Sequence, residues 1–383
     1  MAQHVRSIGG AAISTDLKDH LKRITRDGRY LAAGAACKCR DGSKDAILTG
    51  AMRPGDVPGD LSPALGARLR VASISKAATA RALAALVTTG QASLDDRVHE
   101  ILGPVGYPKW LGTPPISLIA LLSHTSGLRD HLGYFTDPPE TLPGFLSRAG
   151  AAMRPGPVGD FFYANLNYVL AGAVIEAISG DRFDTVIQAS VLGPLGLGGG
   201  FNWAGVDDRQ RLPMYQRHGD TYTLEADGPD GDWTANLMWR GDRGLGLGTY
   251  RLGRDTHLFS PHAGLRLTLP EMARFAAAIG DDSPESQLCR TAVWTYDGTN
   301  GAWSDGLFPN MGLSLTTYQS HDRIPGYLTG HAGHALGFTG GVWCDRDTGT
   351  GWAYALTGSA DATEGQDEET FFGSAELTIF EAF

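Results

Sequence analysis

The sequence has few cysteines and no long apolar run. Four cysteines in 383 residues are too few for a secreted disulfide scaffold. No apolar segment approaches the roughly twenty residues of a membrane-spanning helix, and the N-terminal region lacks a signal-peptide pattern. We therefore expect a cytoplasmic protein without a transmembrane helix.

Positive charge is also scarce. The formal net charge is -10, and no segment collects lysine and arginine. This distribution argues against nucleic acid and against an anionic membrane surface as partners, because both need a cationic face. A small molecule is the expected partner, and the sequence leaves the oligomeric state open.

The cysteines and histidines do not form a metal-binding pattern. Cys37 and Cys39 alternate along a predicted strand and so face the same side of it. Cys289 and Cys344 lie far away in sequence, and no pair has the spacing of zinc ligands. We interpret the cysteines as small buried apolar residues, and we expect neither a metal nor a cofactor.

Hydrophobic periodicity divides the chain into strand-rich ends and a helical middle. Strands are predicted at 32–39, 45–50, 340–345 and 351–357, with a hairpin turn at Asp41-Gly42. Helices are predicted at 17–26, 73–89, 94–102, 116–122, 168–179, 183–191, 270–279 and 368–382. A single sheet closed by both chain ends, with a helical domain inserted between them, accounts for this order.

Three regions follow from this division. Residues 1–70 and 258–383 form a predicted α/β sheet domain, and residues 71–197 a helical domain. Residues 198–257 form an insertion rich in glycine and aromatic residues, among them Trp203, Trp233, Trp239 and Tyr250. We expect these aromatics to be exposed in a wall of the substrate pocket, and a packed hairpin is the alternative.

The most informative motif is Ser73-Ile74-Ser75-Lys76, which opens the predicted helix 73–89. A spacing of three on a helix places the hydroxyl and the amine on one face, within bonding reach. A serine becomes a good nucleophile when a base takes its proton, and a desolvated lysine can be that base. Lys76 alone among the six lysines has a serine three positions before it. A helix N-terminus with a surface lysine is the alternative interpretation.

Three further segments accompany this motif: Leu121 to Leu128 (LLSHTSGL), Tyr163-Ala164-Asn165, and His331-Ala332-Gly333. With them the chain resembles the serine hydrolases of the class C β-lactamase and penicillin-binding-protein superfamily, which includes esterases, D-amino-acid amidases and D-aminopeptidases. That group is marked by Ser-x-x-Lys, Tyr-x-Asn and Lys/His-x-Gly in this order, and the resemblance extends over residues 34–358. It implies a β-lactamase-like α/β (α+β) fold, with a mainly antiparallel sheet flanked by helices.

The chemistry of these residues is that of acyl transfer through a covalent acyl-serine. Ser73 would attack a carbonyl, and Lys76 would take or relay its proton. A phenol such as Tyr163 can carry a proton to the leaving group, especially if a nearby ammonium lowers its pKa. Asn165 can orient the lysine and bind the substrate by donating to its acyl-side carbonyl. A helix-flanking aromatic and a helix N-cap are the respective alternatives for Tyr163 and Asn165.

The resemblance also implies a substrate-binding and oxyanion region at the third motif. The oxyanion hole would use the backbone N–H of Ser73 and, by resemblance, that of His334. His331 and Gly333 match the His-x-Gly pattern, although His331 could equally be a structural strand residue or a pocket wall. We interpret His124, in the LLSHTSGL segment, as a packing residue.

The third motif limits the substrate. Many β-lactamases and peptidases of the group have lysine where this chain has His331, which is mostly neutral near pH 7. We therefore predict a serine hydrolase for small esters or amides. The alternatives are a D-stereospecific amidase or aminopeptidase, a weak β-lactamase, and a catalytically silent ligand-binding homologue. The intact Ser73, Lys76 and Tyr163 argue against the last of these.

Overall fold

The computed structural model of the chain describes residues 13–383 apart from 135, 137–139, 204–205, 226–249, 302–307, 320, 322–323, 361–365 and 368–369. Its strands are β1 (Ala32–Lys38), β2 (Lys44–Gly50), β3 (Gly59–Asp60), β4 (Arg68–Arg70), β5 (Tyr215–His218), β6 (Thr221–Leu224), β7 (Arg266–Thr268), β8 (Trp294–Thr295), β9 (Asn310–Met311), β10 (Thr316–Gln319), β11 (Tyr327–Ala335), β12 (Phe338–Asp345), β13 (Gly351–Thr357), β14 (Gln366–Asp367) and β15 (Thr370–Gly373). Its helices are α1 (Thr15–Arg26), α2 (Ser75–Thr88), α3 (Val98–Leu102), α4 (Leu118–Leu122), α5 (Leu142–Ala149), α6 (Asn165–Ser179), α7 (Phe183–Ile187), α8 (Leu269–Ile279), α9 (Pro284–Arg290) and α10 (Ser374–Ala382).

One large sheet joins the two ends of the chain. Within the described residues it has seven strands in the order β10-β11-β12-β13-β1-β2-β3, and its neighbouring strands run antiparallel. The ends meet where β1 pairs with β13, for example at Ala35 opposite Tyr354. The predicted fold class is therefore confirmed, including the hairpin between β1 and β2.

The sheet separates two hydrophobic cores, because alternate residues of each strand face opposite sides. Trp343 and Trp352 belong to the core beneath α1 and α10. Val342 and Ala353, one position away in sequence, belong to the larger core shared with α8 and the helical region. That larger core also contains buried residues of α2 and α6, the helices that begin at the Ser-x-x-Lys and Tyr-x-Asn motifs. The third motif, on β11, therefore lies in the same sheet that supports these helices.

The predicted helices are present, with shifted ends. A 3₁₀ turn, Ala72–Ile74, precedes α2, so Ser73 lies in the turn and Lys76 in the first turn of the helix. Helix α6 begins at Asn165, three residues before the predicted start. Helix α7 continues as a π-helical turn, Gln188–Leu192.

The predicted start of the last helix is wrong. A helix was expected over 368–382, but Thr370–Gly373 is a strand and the helix covers Ser374–Ala382. The Glu376 carboxylate accepts the backbone N–H of Gly373 at 2.9 Å. This bond caps the helix at its observed first turn and leaves the preceding residues extended.

The expectation of exposed aromatics in the 198–257 insertion is wrong for Trp203. Its side chain is only 2% exposed, and the guanidinium groups of Arg211 and Arg266 lie 4.8 and 5.1 Å from its ring centroid. Cation–π contacts of this kind favour a buried indole. Trp233 and Trp239 lie outside the described residues. Strands β5 and β6 pair as a hairpin, which agrees with the alternative interpretation of this region.

None of the helices in the described ranges is long and apolar enough to cross a membrane. The cytoplasmic location and the division into three regions stay predictions from the sequence.

Candidate active site

Ser73 lies in a tight turn between β4 and α2. The residue before it, Ala72, has φ +46°, a left-handed conformation that is strained for a residue with a Cβ. The turn is tied down by Ser75, whose hydroxyl donates to the Ala72 carbonyl at 2.6 Å and accepts the Leu265 N–H at 2.9 Å. These bonds fix the Ser73 hydroxyl at the N-terminal end of α2.

The Lys76 side chain is fully buried and meets three acceptors. Its Nζ lies 2.9 Å from Ser73 Oγ, 2.8 Å from Asn165 Oδ1 and 3.0 Å from the backbone carbonyl of His262. An ammonium has three N–H donors, so each donor has one partner here. The surface-lysine interpretation of the Ser-x-x-Lys motif is therefore wrong.

Burial lowers the pKa of Lys76 to about 7, and the nearby Asp130 carboxylate opposes this effect. A neutral amine has two N–H donors and one lone pair. The Asn165 amide oxygen and the His262 carbonyl can only accept, so they take both donors. The lone pair is then left for the proton of the Ser73 hydroxyl, which is the arrangement of a general base.

Asp130 and Asn165 form the next layer of the site. The two Asp130 carboxylate oxygens accept the backbone N–H groups of Asn165 and Leu166 at 2.7 and 3.0 Å, and so cap α6. The Asn165 side chain accepts from Lys76 at 2.8 Å while its backbone N–H donates to the Asp130 carboxylate. Asn165 is thus the first residue of the helix rather than an N-cap for Tyr168, and it bridges the amine and the carboxylate.

The His262 carbonyl reaches the site on a turn that α2 holds in place. Thr79 Oγ1, one turn along α2, donates to the Pro261 carbonyl at 2.7 Å. Ser260 has φ +51°, and the chain reverses there. Sequence reasoning missed this contact because a backbone carbonyl carries no residue-type signal. It also missed Asp130, which follows the LLSHTSGL segment by two residues.

Tyr163 contacts the same serine. Its hydroxyl hydrogen-bonds the Ser73 side chain, and its ring centroid lies 4.8 Å from Lys76 Nζ. Burial raises the pKa of Tyr163 far above its ordinary value, so the phenol keeps its proton at neutral pH. The ring stacks on His124 and on Phe308, with centroid distances of 4.4 and 5.9 Å. His124, interpreted from the sequence as a packing residue only, therefore touches a candidate catalytic side chain.

His331 is buried next to this group, with its ring centroid 6.3 Å from that of Tyr163. Its Nδ1 lies 2.5 Å from the Ala332 carbonyl, which can only accept, so Nδ1 carries the proton. Burial first, and then the charge of Lys76, lower the pKa of His331 to about 3. His331 is therefore neutral at pH 7, and its Nε2 has no hydrogen-bond partner among the described residues.

The other third-motif residues lie on both faces of β11. A Cβ on Gly333 would come within 2.6 Å of the Val71 carbonyl, so β11 passes close to the turn that carries Ser73. The His334 side chain points to the opposite face, where its Nε2 lies 3.0 Å from Glu376 Oε1. The expected role of the His334 backbone N–H in an oxyanion hole stays a prediction. Within the described ranges, no cluster of three or more His, Cys, Asp or Glu side chains could hold a metal ion.

Comparisons with known proteins find similar sequences and similar solved structures. The D-alanyl-D-alanine-carboxypeptidase/endopeptidase AmpH of Escherichia coli K12 is 28% identical over 278 residues, which is 69% of each chain. Among solved structures, the D-amino acid amidase of Ochrobactrum anthropi SV3 has a TM-score of 0.68 at 18% identity, covering 96% of this chain and 98% of that one. A class C beta lactamase from Rhodobacter sphaeroides has a TM-score of 0.67 at 15% identity over 96% and 98%. At these identities the two structures establish the shared fold.

Fold, motifs and relatives together define the class of the protein, which is a serine hydrolase. Within that class, the chain belongs to the Beta-lactamase family, which matches residues 24–373.

Proposed function

We propose that the protein hydrolyses a small ester or amide through an acyl-serine intermediate formed on Ser73. The observation that carries this proposal is the environment of Lys76. Its Nζ lies 2.9 Å from Ser73 Oγ, and its other two donor directions are taken by fixed acceptors. Burial that lowers its pKa to about 7 makes the neutral amine available near neutral pH.

In the acylation step, Lys76 takes the hydroxyl proton as Ser73 Oγ bonds to the substrate carbonyl carbon. The carbonyl electron pair moves to oxygen, and the tetrahedral intermediate forms. Backbone N–H groups of Ser73 and His334 are the proposed donors to that oxyanion. The close approach of Gly333 to the Ser73 turn supports this assignment, since it brings β11 next to the nucleophile.

The second half of acylation breaks the bond to the leaving group. Tyr163 gives its phenolic proton to the departing oxygen or nitrogen, and the Lys76 ammonium restores that proton. Because burial raises its pKa, the phenol is fully protonated at pH 7 but weakly acidic, so its proton must leave as the Lys76 ammonium supplies another and no phenolate accumulates. Deacylation follows the reverse path: water loses a proton to this pair, attacks the acyl carbon, and Ser73 recovers its proton.

His331 sets the proposed substrate class. A neutral, buried imidazole offers no positive charge to a substrate carboxylate, unlike a lysine at the same place in the motif. This favours esters, amides or short peptides with a free amino group over β-lactams. The activities for which AmpH and the D-amino acid amidase are named support the amide and peptide members of that class. D-stereospecific amidase or aminopeptidase activity is therefore our second candidate.

The test is covalent labelling followed by a substrate panel. A fluorophosphonate should add to wild-type protein once, at Ser73, as seen by intact mass and peptide mapping. Ser73→Ala should abolish the adduct and turnover, whereas Ser93→Ala, at an exposed serine, should leave both unchanged. Absence of an adduct on wild-type Ser73 would refute the proposal.

The panel then separates the two candidates. It compares p-nitrophenyl esters with D- and L-amino-acid amides, and a chromogenic β-lactam completes it. A preference for D-amino-acid amides assigns the stereospecific amidase, and ester turnover without amide turnover assigns the esterase.

A further inference from the structure

His124 contacts three consecutive residues centred on Tyr163. Its backbone carbonyl accepts the Phe162 N–H at 2.8 Å, and its Nδ1 accepts the Ala164 N–H at 3.1 Å. Between these two bonds, its ring stacks on the Tyr163 ring at a centroid distance of 4.4 Å and an interplanar angle of 22°. One histidine therefore fixes the backbone on both sides of the tyrosine and one face of its ring.

His124 itself is held rigidly. It is fully buried, and its Nδ1 also faces the Asn167 side-chain amide at 3.1 Å. The Asn167 oxygen accepts from Ser126 Oγ at 2.6 Å, which orients that amide so that its nitrogen donates to the ring. His124 has φ +60°, and this left-handed backbone lets its carbonyl and its ring address the same segment.

The protonation of His124 is set by the same contacts. A backbone N–H can only donate, so Nδ1 must be unprotonated and the ring proton must be on Nε2. Burial first, and then the charge of Lys76, hold the pKa of His124 well below its ordinary value. The ring is therefore neutral and keeps its acceptor throughout the working pH range. His124 has no bond to Ser73 among the described contacts, so any effect on the reaction must pass through its neighbours.

We propose that His124 is a positioning residue that holds the Tyr163 hydroxyl in line with Ser73 and the leaving group. This inference rests on the proposed function, which gives Tyr163 the proton transfer to the leaving group. Loss of this alignment should lower kcat/KM for substrates whose leaving group needs a proton, such as an ethyl ester. It should lower kcat/KM for a p-nitrophenyl ester of the same acid much less, since p-nitrophenolate can leave as the anion.

The measurement is the ratio of kcat/KM for the ethyl ester to that for the p-nitrophenyl ester. All rates are normalised to fluorophosphonate-labelled Ser73, so that misfolded protein does not enter. His124→Phe keeps an aromatic ring and removes the acceptor, and we expect the ratio to fall at least about tenfold. His124→Asn restores an acceptor and tolerates positive φ, so it should recover part of the loss. His20→Phe, at a buried histidine of α1, should leave the ratio unchanged.

A double-mutant cycle makes the assignment specific. Tyr163→Phe should lower the ratio at least as much as His124→Phe, and the double variant should be no worse than Tyr163→Phe alone. Equal losses on both esters, or a further loss of the ratio in the Tyr163→Phe background, would overturn the positioning role. Failure of the wild-type protein to be labelled at Ser73 would instead overturn the proposed function, and the positioning role with it.

Discussion

The protonation of Lys76 should set the acid limb of the pH–rate profile. With its pKa lowered to about 7 by burial, the amine is half neutral near pH 7. A pKa of that size leaves about 1% of the neutral base at pH 5, so kcat/KM should fall about 100-fold from its plateau above pH 8. The limb should have a slope of one, because a single proton blocks the base.

The histidines near Lys76 do not account for such a limb. Burial lowers the pKa of His331 to about 3 and holds the pKa values of His124 and His262 well below their ordinary range. The remaining partner is the Asp130 carboxylate: burial raises its own pKa, and its charge raises the pKa of Lys76. Asp130→Asn should therefore move the acid limb to lower pH.

The assay is kcat/KM for a p-nitrophenyl ester from pH 5 to pH 9 at constant ionic strength, with Ser73→Ala rates subtracted. Asp95→Asn, at an exposed aspartate, is the matched control and should leave the limb in place. The amide introduced by Asp130→Asn offers one acceptor oxygen where two backbone N–H groups now bond, so rates are normalised to labelled Ser73. A flat profile, or a limb that Asp130→Asn moves to higher pH, would refute the assignment of Lys76 as the base.

Three further substitutions probe the same site by steady-state kinetics. Asn165→Ala removes one of the fixed acceptors of Lys76, and the loss of a bond to a charged group, worth about 1.5–3 kcal/mol, should lower kcat/KM about 10- to 150-fold. Gly333→Ala places a Cβ 2.6 Å from the Val71 carbonyl, so β11 must move away from the nucleophile turn, and kcat/KM should fall at least about tenfold. His331→Gln replaces one neutral polar side chain by another, and the pH profile of kcat/KM should keep its shape.

Matched variants control two of these changes. Gly66→Ala adds a Cβ that meets nothing within 4 Å and should leave kcat/KM unchanged. His218→Gln, at an exposed histidine, should leave rate and profile unchanged. Unchanged activity in Gly333→Ala would mean that β11 does not support the site, and a displaced limb in His331→Gln would mean that this histidine titrates during turnover.

The sequence predicted the functional side chains of the site better than the backbone groups that hold them in place. The Ser-x-x-Lys spacing brought Ser73 and Lys76 into hydrogen-bond distance, and the Tyr-x-Asn motif supplied the acceptor on Asn165. The His262 carbonyl could not be predicted in the same way. It comes from a turn 186 residues from Lys76, and any residue type could present it.

The errors in the fold prediction have a similar origin. Trp203 looked like an exposed aromatic because its segment is rich in glycine, aspartate and arginine, but two arginines cover its ring. The last helix starts later than predicted because the Glu376 side chain caps it at Gly373. Hydrophobic periodicity does not indicate this cap. In both cases a side-chain contact decides the structure, and hydrophobic periodicity does not identify the partners in that contact.

The choice of lysine at position 76 follows from the two protonation states that the site must hold. Three acceptors surround Nζ, so all three N–H donors of the ammonium have a partner. In the neutral amine, the two N–H groups donate to the Asn165 and His262 oxygens, and the lone pair accepts the proton of the Ser73 hydroxyl. The proton can therefore move without any heavy atom changing its partner, which is why burial can bring the pKa near 7 without leaving an orphaned polar group. Arginine could fill the cavity but would not give up its proton, and this chain uses arginine for twenty-six of its 32 basic side chains. Histidine has too few donors for both fixed acceptors. Lysine is thus the side chain that satisfies the site in both states of the proposed cycle.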